Sequence, residues 1–189
     1  LDVSRVSRGK ITLQKMPLDL AAVIQQAVET SRPLIDSRRH HLTVTLPQDP
    51  VRVEGDFVRL AQVVSNLLNN AAKYTDAGGL IRVTVGQEGG EAVIRVKDNG
   101  VGIAPELLPR VFELFAQVDG SLGRSYGGLG VGLALARNLV EMHDGRLRAS
   151  SAGPGKGCEF TIKLPARTGP AGREATTVLE PGRRAGRSL

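Results

Sequence analysis

The segment Gly127-Gly128-Leu129-Gly130-Val131-Gly132 constrains this chain more than any other. It opens an apolar repeat that reads as a helix from Leu129 to His143, stopped at Gly145. Glycine inside a helix costs about 1 kcal/mol relative to alanine. A plain loop ahead of a helix explains one or two of these glycines, not four. What glycine supplies is backbone that a ligand can approach closely, here at a helix N-terminus whose free N–H groups suit a phosphate. No strand immediately precedes Gly127, so the dinucleotide fingerprint is excluded. The chain also contains no Gly-x-x-x-x-Gly-Lys-Ser/Thr segment.

Two upstream segments belong with these glycines. Asp98-Asn99-Gly100-Val101-Gly102 follows an alternating run that reads as a strand. Asp-Asn-Gly alone is ordinary turn chemistry; beside a ligand, Asp98 is a carboxylate able to accept from the exocyclic amine of adenine. The second segment is Asn66-Leu67-Leu68-Asn69-Asn70-Ala71-Ala72-Lys73-Tyr74. Spacings of four and three put Asn66, Asn70 and Lys73 on one helix face. Asparagine is not favoured inside a helix, so the pair reads either as surface polarity or as ligand chemistry. An amide oxygen suits Mg²⁺ shared with phosphates, and Lys73 offers a point charge.

The remaining pattern predicts a strand at Lys10–Gln14 and a helix over Leu18–Asp36 with Pro17 near its start. Strands follow at His41–Leu46 and Val51–Val53, then a helix capped by Asp56 and running to about Tyr74. Leu80–Val85 and Ala92–Lys97 form a hairpin through Glu88-Gly89-Gly90-Glu91. Residues 100–128 are irregular around a short helix at Glu106–Phe115. Arg146–Ser150 and Glu159–Leu164 close the fold across Gly153-Pro154-Gly155-Lys156-Gly157. Runs of strands with interspersed helices indicate an α+β two-layer sandwich, a mixed and mostly antiparallel sheet with helices on one face.

At 189 residues the chain holds one domain with extensions. Its net charge of +6 raises the question of nucleic acid. Half of that excess lies in residues 166–189, where Arg167, Arg173, Arg183, Arg184 and Arg187 face only Glu174 and Glu180. With 3% aromatic residues and no Trp, a base-stacking platform is poorly supplied; no nucleic-acid partner is expected, and the tail reads as a solvated linker. No apolar run is long enough to span a bilayer, and Cys158, the only cysteine, excludes an internal disulfide and suits a reducing compartment. A cytoplasmic location is expected, with a parent that membrane anchoring would also suit.

Together, in this order and at these separations, the three segments resemble the ATP-binding catalytic domain of sensor histidine kinases, whose Bergerat fold is shared with DNA gyrase, Hsp90 and mismatch-repair ATPases. Asn66–Tyr74 resembles the family's N box, Asp98–Gly102 its first glycine box, Phe112–Phe115 its phenylalanine box and Gly128–Leu133 its second glycine box. The resemblance covers roughly residues 10–165. It implies that Asn70 holds Mg²⁺ with Asn66 nearby, that Lys73 meets the phosphates and that Tyr74 lies against the nucleoside. Asp98 would bind the adenine amino group in a pocket shaped by Gly100 and Gly102. Residues from about Ala104 to Gly128 would form an ATP lid anchored by Phe112 and Phe115. Gly128, Gly130 and Gly132 would hinge it and present N–H groups to the phosphates, with Leu129 among the cofactor-binding residues.

ATP-hydrolysing relatives place a Glu one helical turn before the metal-binding Asn. Here that position is Asn66, and an amide cannot serve as general base. Transfer to an external nucleophile is therefore expected. His40, His41 and His143 each read as surface or cap histidines, so the acceptor His is expected on a separate dimerisation domain. The opening Leu1-Asp2-Val3-Ser4-Arg5 resembles the end of that domain's second helix, over residues 1–9, and reads as cut from a longer protein. The segment alone is expected to be a monomer that barely autophosphorylates. The second glycine box and Gly155-Lys156-Gly157-Cys158-Glu159-Phe160 are similar to hybrid kinases, in which a receiver domain follows a linker; residues 166–189 suit that linker. An anti-sigma-type serine kinase and a silent nucleotide-sensing or partner-binding module are the competing readings.

Overall fold

The computed structural model describes residues 11–113 and 132–167. Strand β1 (Met16–Asp19) leads into helix α1 (Leu20–Ser37), followed by β2 (His41–Thr45), β3 (Arg52–Gly55) and helix α2 (Phe57–Tyr74). Then come β4 (Leu80–Glu88), β5 (Glu91–Asp98), a 3-10 turn (Leu108–Arg110), helix α3 (Gly132–Met142), β6 (Arg146–Ser150) and β7 (Cys158–Pro165). Five strands form one sheet in the order β2-β4-β5-β7-β6, with β2 and β4 parallel and every other pair antiparallel. β1 and β3 form a separate antiparallel pair. This is the two-layer α+β sandwich that the pattern predicts.

Alternation along the strands sorts the two faces of the sheet. Ile81, Val83 and Val85 of β4, Ala92, Ile94 and Val96 of β5, and Phe160, Ile162 and Leu164 of β7 are buried in a core shared with the helices. The alternate residues Arg82, Lys97 and Arg148 are exposed on the other face. Helix α2 is the centre of the helical layer. Its buried residues Leu60, Val63, Val64, Leu67, Leu68 and Ala71 repeat at helical spacing, and it packs between α1 and α3. The hairpin turns through Gly89 (φ 55°) and Gly90 (φ 80°), the paired left-handed conformation that fits two-residue hairpin loops.

Several boundaries differ from the sequence reading. Ile11 and Leu13 are half-buried as the alternation implies, but the first strand lies at Met16–Asp19. The Gln14 N–H is taken by Asp56 Oδ2 at 2.9 Å rather than by a strand partner. Asp19, not Pro17, starts helix α1: its side chain accepts from Ala21 N–H at 2.9 Å, while Leu20 N–H bonds Val51 O. Of the short helix expected at Glu106–Phe115, the described residues contain only the 3-10 turn. Of the surface-or-cap reading, the surface part fails for His40 and His143, which are buried, while each binds a carbonyl near a helix end as a cap would. His41, at the start of β2, is exposed.

His143 shows what burial does for the fold. Asp56 caps α2 as predicted, its Oδ1 accepting from Arg59 N–H at 3.1 Å. Its own N–H donates to His143 Nε2 at 3.0 Å, and His143 Nδ1–H donates to Leu139 O at 2.6 Å. The imidazole is thus neutral, one nitrogen accepting and the other donating. Helix α3 ends beside it in a Schellman turn, Gly145 N–H to Val140 O and Asp144 N–H to Glu141 O, with Asp144 left-handed at φ 60°. A Cβ on Gly145 would strike the Lys163 carbonyl of β7, so the turn packs flush against the sheet.

Burial pushes the His143 pKa below its ordinary 6.5, outweighing the opposing bond to Leu139 O. The unfolded chain therefore binds a proton that the native imidazole resists, and stability falls as pH drops through and below about 6.5. Thermal unfolding between pH 7.5 and 5 is expected to show this loss. His143→Gln should flatten that part of the profile and lower stability by about 1–3 kcal/mol, having left the Asp56 N–H without its acceptor.

Candidate functional site

Asp98 ends β5 facing the core side of the sheet and is buried. Its Oδ1 accepts two main-chain bonds, from Gly100 N–H at 2.9 Å and from Cys158 N–H at 3.2 Å. Oδ2 takes no bond from a described residue. Desolvation raises the Asp98 pKa above 3.8, although both N–H bonds and the nearby His40 oppose the shift. One oxygen is fixed by backbone, and the other is open to a donor that no described residue supplies.

The glycine loop after Asp98 is wedged between two walls. On one side is the end of α2: Val101 N–H donates to Tyr74 O at 2.9 Å. A Cβ on Gly100 would strike that carbonyl and come within 2.7 Å of Thr75 Oγ1. On the other side is the β6–β7 turn, where Gly155 N–H bonds Val101 O at 2.7 Å and Gly157 N–H bonds Gly100 O at 3.1 Å. Gly102 has φ 71°, and a Cβ there would strike the Gly153 carbonyl. Glycine is required at 100 by close approach and at 102 by conformation as well.

The other end of the site is set by α2 and the start of α3. Asn66, Asn70, Lys73 and Tyr74 are all half-buried along the second half of α2. Asn66 Nδ2 donates to Gly132 O at 3.2 Å, so the last residue of the second glycine segment abuts the asparagine face. Lys73 has no ion-pair partner among the described residues. The last carbonyls of α2 are held from outside the helix: Ala72 O by buried His40 Nε2–H at 2.8 Å, Thr75 O by Arg38 Nη2 at 3.1 Å. From Asn66 to Tyr74 the helix rises about 12 Å. That length separates a phosphate-suited end, next to Gly132, from a base-suited end at Asp98, Gly100 and Gly102.

Phe112 is half-buried, its ring edge-on to Phe160 at 6.1 Å and 83°, with the Arg137 guanidinium 5.5 Å from its centroid. Phe115, Gly128, Leu129 and Gly130 lie outside the described residues, as does the part of the expected lid from 114 to 128. The sequence reading missed Ser151, Cys158 and His40. Ser and Cys at the ends of strands carry no spacing signal, and nothing in Arg38-Arg39-His40-His41 announces burial.

The chain matches the profile of the "Histidine kinase-, DNA gyrase B-, and HSP90-like ATPase" family over residues 55–168. It is 36% identical over 163 residues to the signal transduction histidine-protein kinase BaeS of Escherichia coli K12, covering 86% of this chain and 34% of that protein. It is 36% identical over 171 residues to the circadian input-output histidine kinase CikA of Synechococcus elongatus, covering 89% and 22%. The chain thus spans about a third or less of the length of these relatives. Among solved structures, the mycobacterial sensor histidine kinase MprB superposes with TM-score 0.69 at 34% identity, over 81% of this chain and 98% of that one. Full-length ShkA in complex with AMPPNP gives 0.77 at 27% identity, over 89% of this chain and 35% of that one.

Since the Asp98 pKa is raised, its charge is a burden on the fold that is absent below pH 3.8 and grows as pH rises through the folded pKa. Asp98→Asn keeps an acceptor for Gly100 and Cys158 and removes that burden. The variant is expected to match or exceed the parent in melting temperature at pH 7, with the gap closing towards pH 4. Its affinity for ATP, followed by titration calorimetry, should fall by at least about tenfold.

Proposed function

The chain belongs to the histidine kinase-, DNA gyrase B- and HSP90-like ATPase family and carries its histidine-kinase type of ATP-binding catalytic domain; on that premise we propose that it passes the γ-phosphoryl group of ATP to a histidine on a separate dimerisation domain. The observation that carries this reading is the buried Asp98 carboxylate, with one oxygen held by backbone at the glycine loop and the other open to an amine. In the proposed pose the adenine amino group donates to Asp98 Oδ2, with Gly100 and Gly102 leaving room for the ring and Tyr74 beside the nucleoside. The phosphates extend along α2 from Lys73, which neutralises charge, towards Gly132, whose N–H is offered to them.

The donor set fits a magnesium ion held mainly by substrate. Among the described residues no cluster of His, Cys, Asp or Glu forms a protein cage, whereas Mg²⁺ with phosphates needs only one or two protein oxygens. Asn70 supplies such an oxygen on the phosphate-suited face, and the bound ion would neutralise charge developing on the transferring group. Asn66 cannot take a proton from water, and its amide is engaged with Gly132 O. This position thus offers water no general base, which favours transfer over hydrolysis. What the chain contributes is position and electrostatics.

The proposed unit is an ATP-binding domain over residues 10–165, with a linker beyond it that suits a receiver domain further on. No helix among the described residues is long and apolar enough to cross a membrane; a cytoplasmic location and a monomeric state for this segment are part of the proposal. Mixing the chain with ATP, Mg²⁺ and the separately made dimerisation domain of its parent is expected to yield acid-labile phosphate on a histidine of that partner. Asn70→Ala should reduce the rate on the order of 10²-fold. Tight nucleotide binding without transfer to any supplied histidine would instead mark a silent sensing or docking module.

A further inference from the structure

We propose that Ser151 is a positioning residue for the base end of this site, acting on Asp98 through the peptide group that joins Gly157 to Cys158. The inference rests on the nucleotide reading above. Ser151 directly follows β6, half-buried under the β6–β7 turn. A hydroxyl has one proton to give and two lone pairs to receive. The shortest contact of Ser151 Oγ is to Gly157 O at 2.7 Å, and it accepts from Ile103 N–H at 3.0 Å. Gly153 stands further off, with both its N–H and its carbonyl at 3.3 Å.

The Gly157 carbonyl and the Cys158 N–H belong to one planar peptide unit. The first accepts from Ser151; the second donates to Asp98 Oδ1 at 3.2 Å. Three groups therefore stand in series: hydroxyl, peptide, carboxylate. Hydrogen bonds in series polarise one another, and a buried acceptor gains most from that alignment. Donation to Gly157 O strengthens the Cys158 N–H as a donor and holds Asp98 Oδ1 in place, leaving Oδ2 aimed at the base.

The same oxygen also fixes the glycine loop. Ile103 is the residue after Gly102, so its N–H bond to Ser151 ties down the end of the Gly100–Gly102 segment. The turn then adds the bonds from Gly155 and Gly157 to the carbonyls of Val101 and Gly100. A Cβ on Gly157 would strike the Asp98 carbonyl, so the turn sits directly against the carboxylate-bearing residue. One hydroxyl thus references both the carboxylate that reads the base and the backbone that makes room for it.

Titration of the 189-residue chain with ATP, ADP and AMP tests this. Ser151→Ala is expected to weaken all three by the same factor, about tenfold, and to narrow the preference for ATP over GTP. Ser151→Thr, which keeps the hydroxyl, should restore both. Equal ATP affinity in parent and Ser151→Ala, or failure of Ser151→Thr to rescue a folded chain, overturns the proposal while leaving the nucleotide site standing. A parent chain that binds no adenine nucleotide overturns both. Amide exchange on the unaltered chain gives a reading that needs no variant. Saturating AMP should slow exchange at Ile103 and Cys158 together, and slowing at only one of them counts against the shared oxygen.

Discussion

Helix α2 is held at both ends by groups far away in sequence, and the site depends on that double attachment. At its start, Asp56 caps the first turn while its N–H is bound by His143 from the end of α3. At its finish, His40 and Arg38 from the α1–β2 connection take the carbonyls of Ala72 and Thr75, and the glycine loop takes that of Tyr74. Helix ends leave several carbonyls and N–H groups without intrahelical partners. Here those vacant groups are the fasteners. Because α2 also carries Asn66, Asn70, Lys73 and Tyr74, tying down its ends places the polar face relative to the sheet that carries Asp98.

The site itself sits where burial and function oppose each other. A carboxylate removed from water and given only two backbone donors on one oxygen is poorly solvated in the folded chain, as the upward pKa shift records. Such a group is tolerable in a fold with a large apolar core, and in the proposed pose the adenine amino group would match it by donating to the free oxygen. The same logic covers the glycines. Gly100, Gly102 and Gly157 give up side-chain packing so that three stretches of backbone can touch. Local stability is spent there on close backbone packing around Asp98.

Much of this was legible in the residues. The apolar period of 3.6 located α1 and α2, the period of two located β4, β5 and β7, and Gly89-Gly90 located the hairpin. Asp56 was recognisable as a cap, and the three segments with Asp98 among them marked the candidate site. The errors came where a local pattern met a distant partner. Alternation at Lys10–Gln14 suggested a strand, but Asp56 takes the Gln14 N–H and the ladder forms further on. His40 and His143 carry no pattern that distinguishes a surface histidine from one sealed beneath a helix end.

Periodicity, turn chemistry and residue type act over a few neighbours, so the chain alone determined its main elements, its α+β class and which residues are candidates to meet a ligand. Which groups meet across long separations was decided only by the tertiary structure. Asn66 reaches Gly132, Asp98 reaches Cys158, Asp56 reaches His143, and Ser151 bridges Ile103 and Gly157. The physical reason is that a buried donor or acceptor must find a partner wherever packing delivers one. That requirement is met by geometry between elements, and no short stretch of sequence contains it.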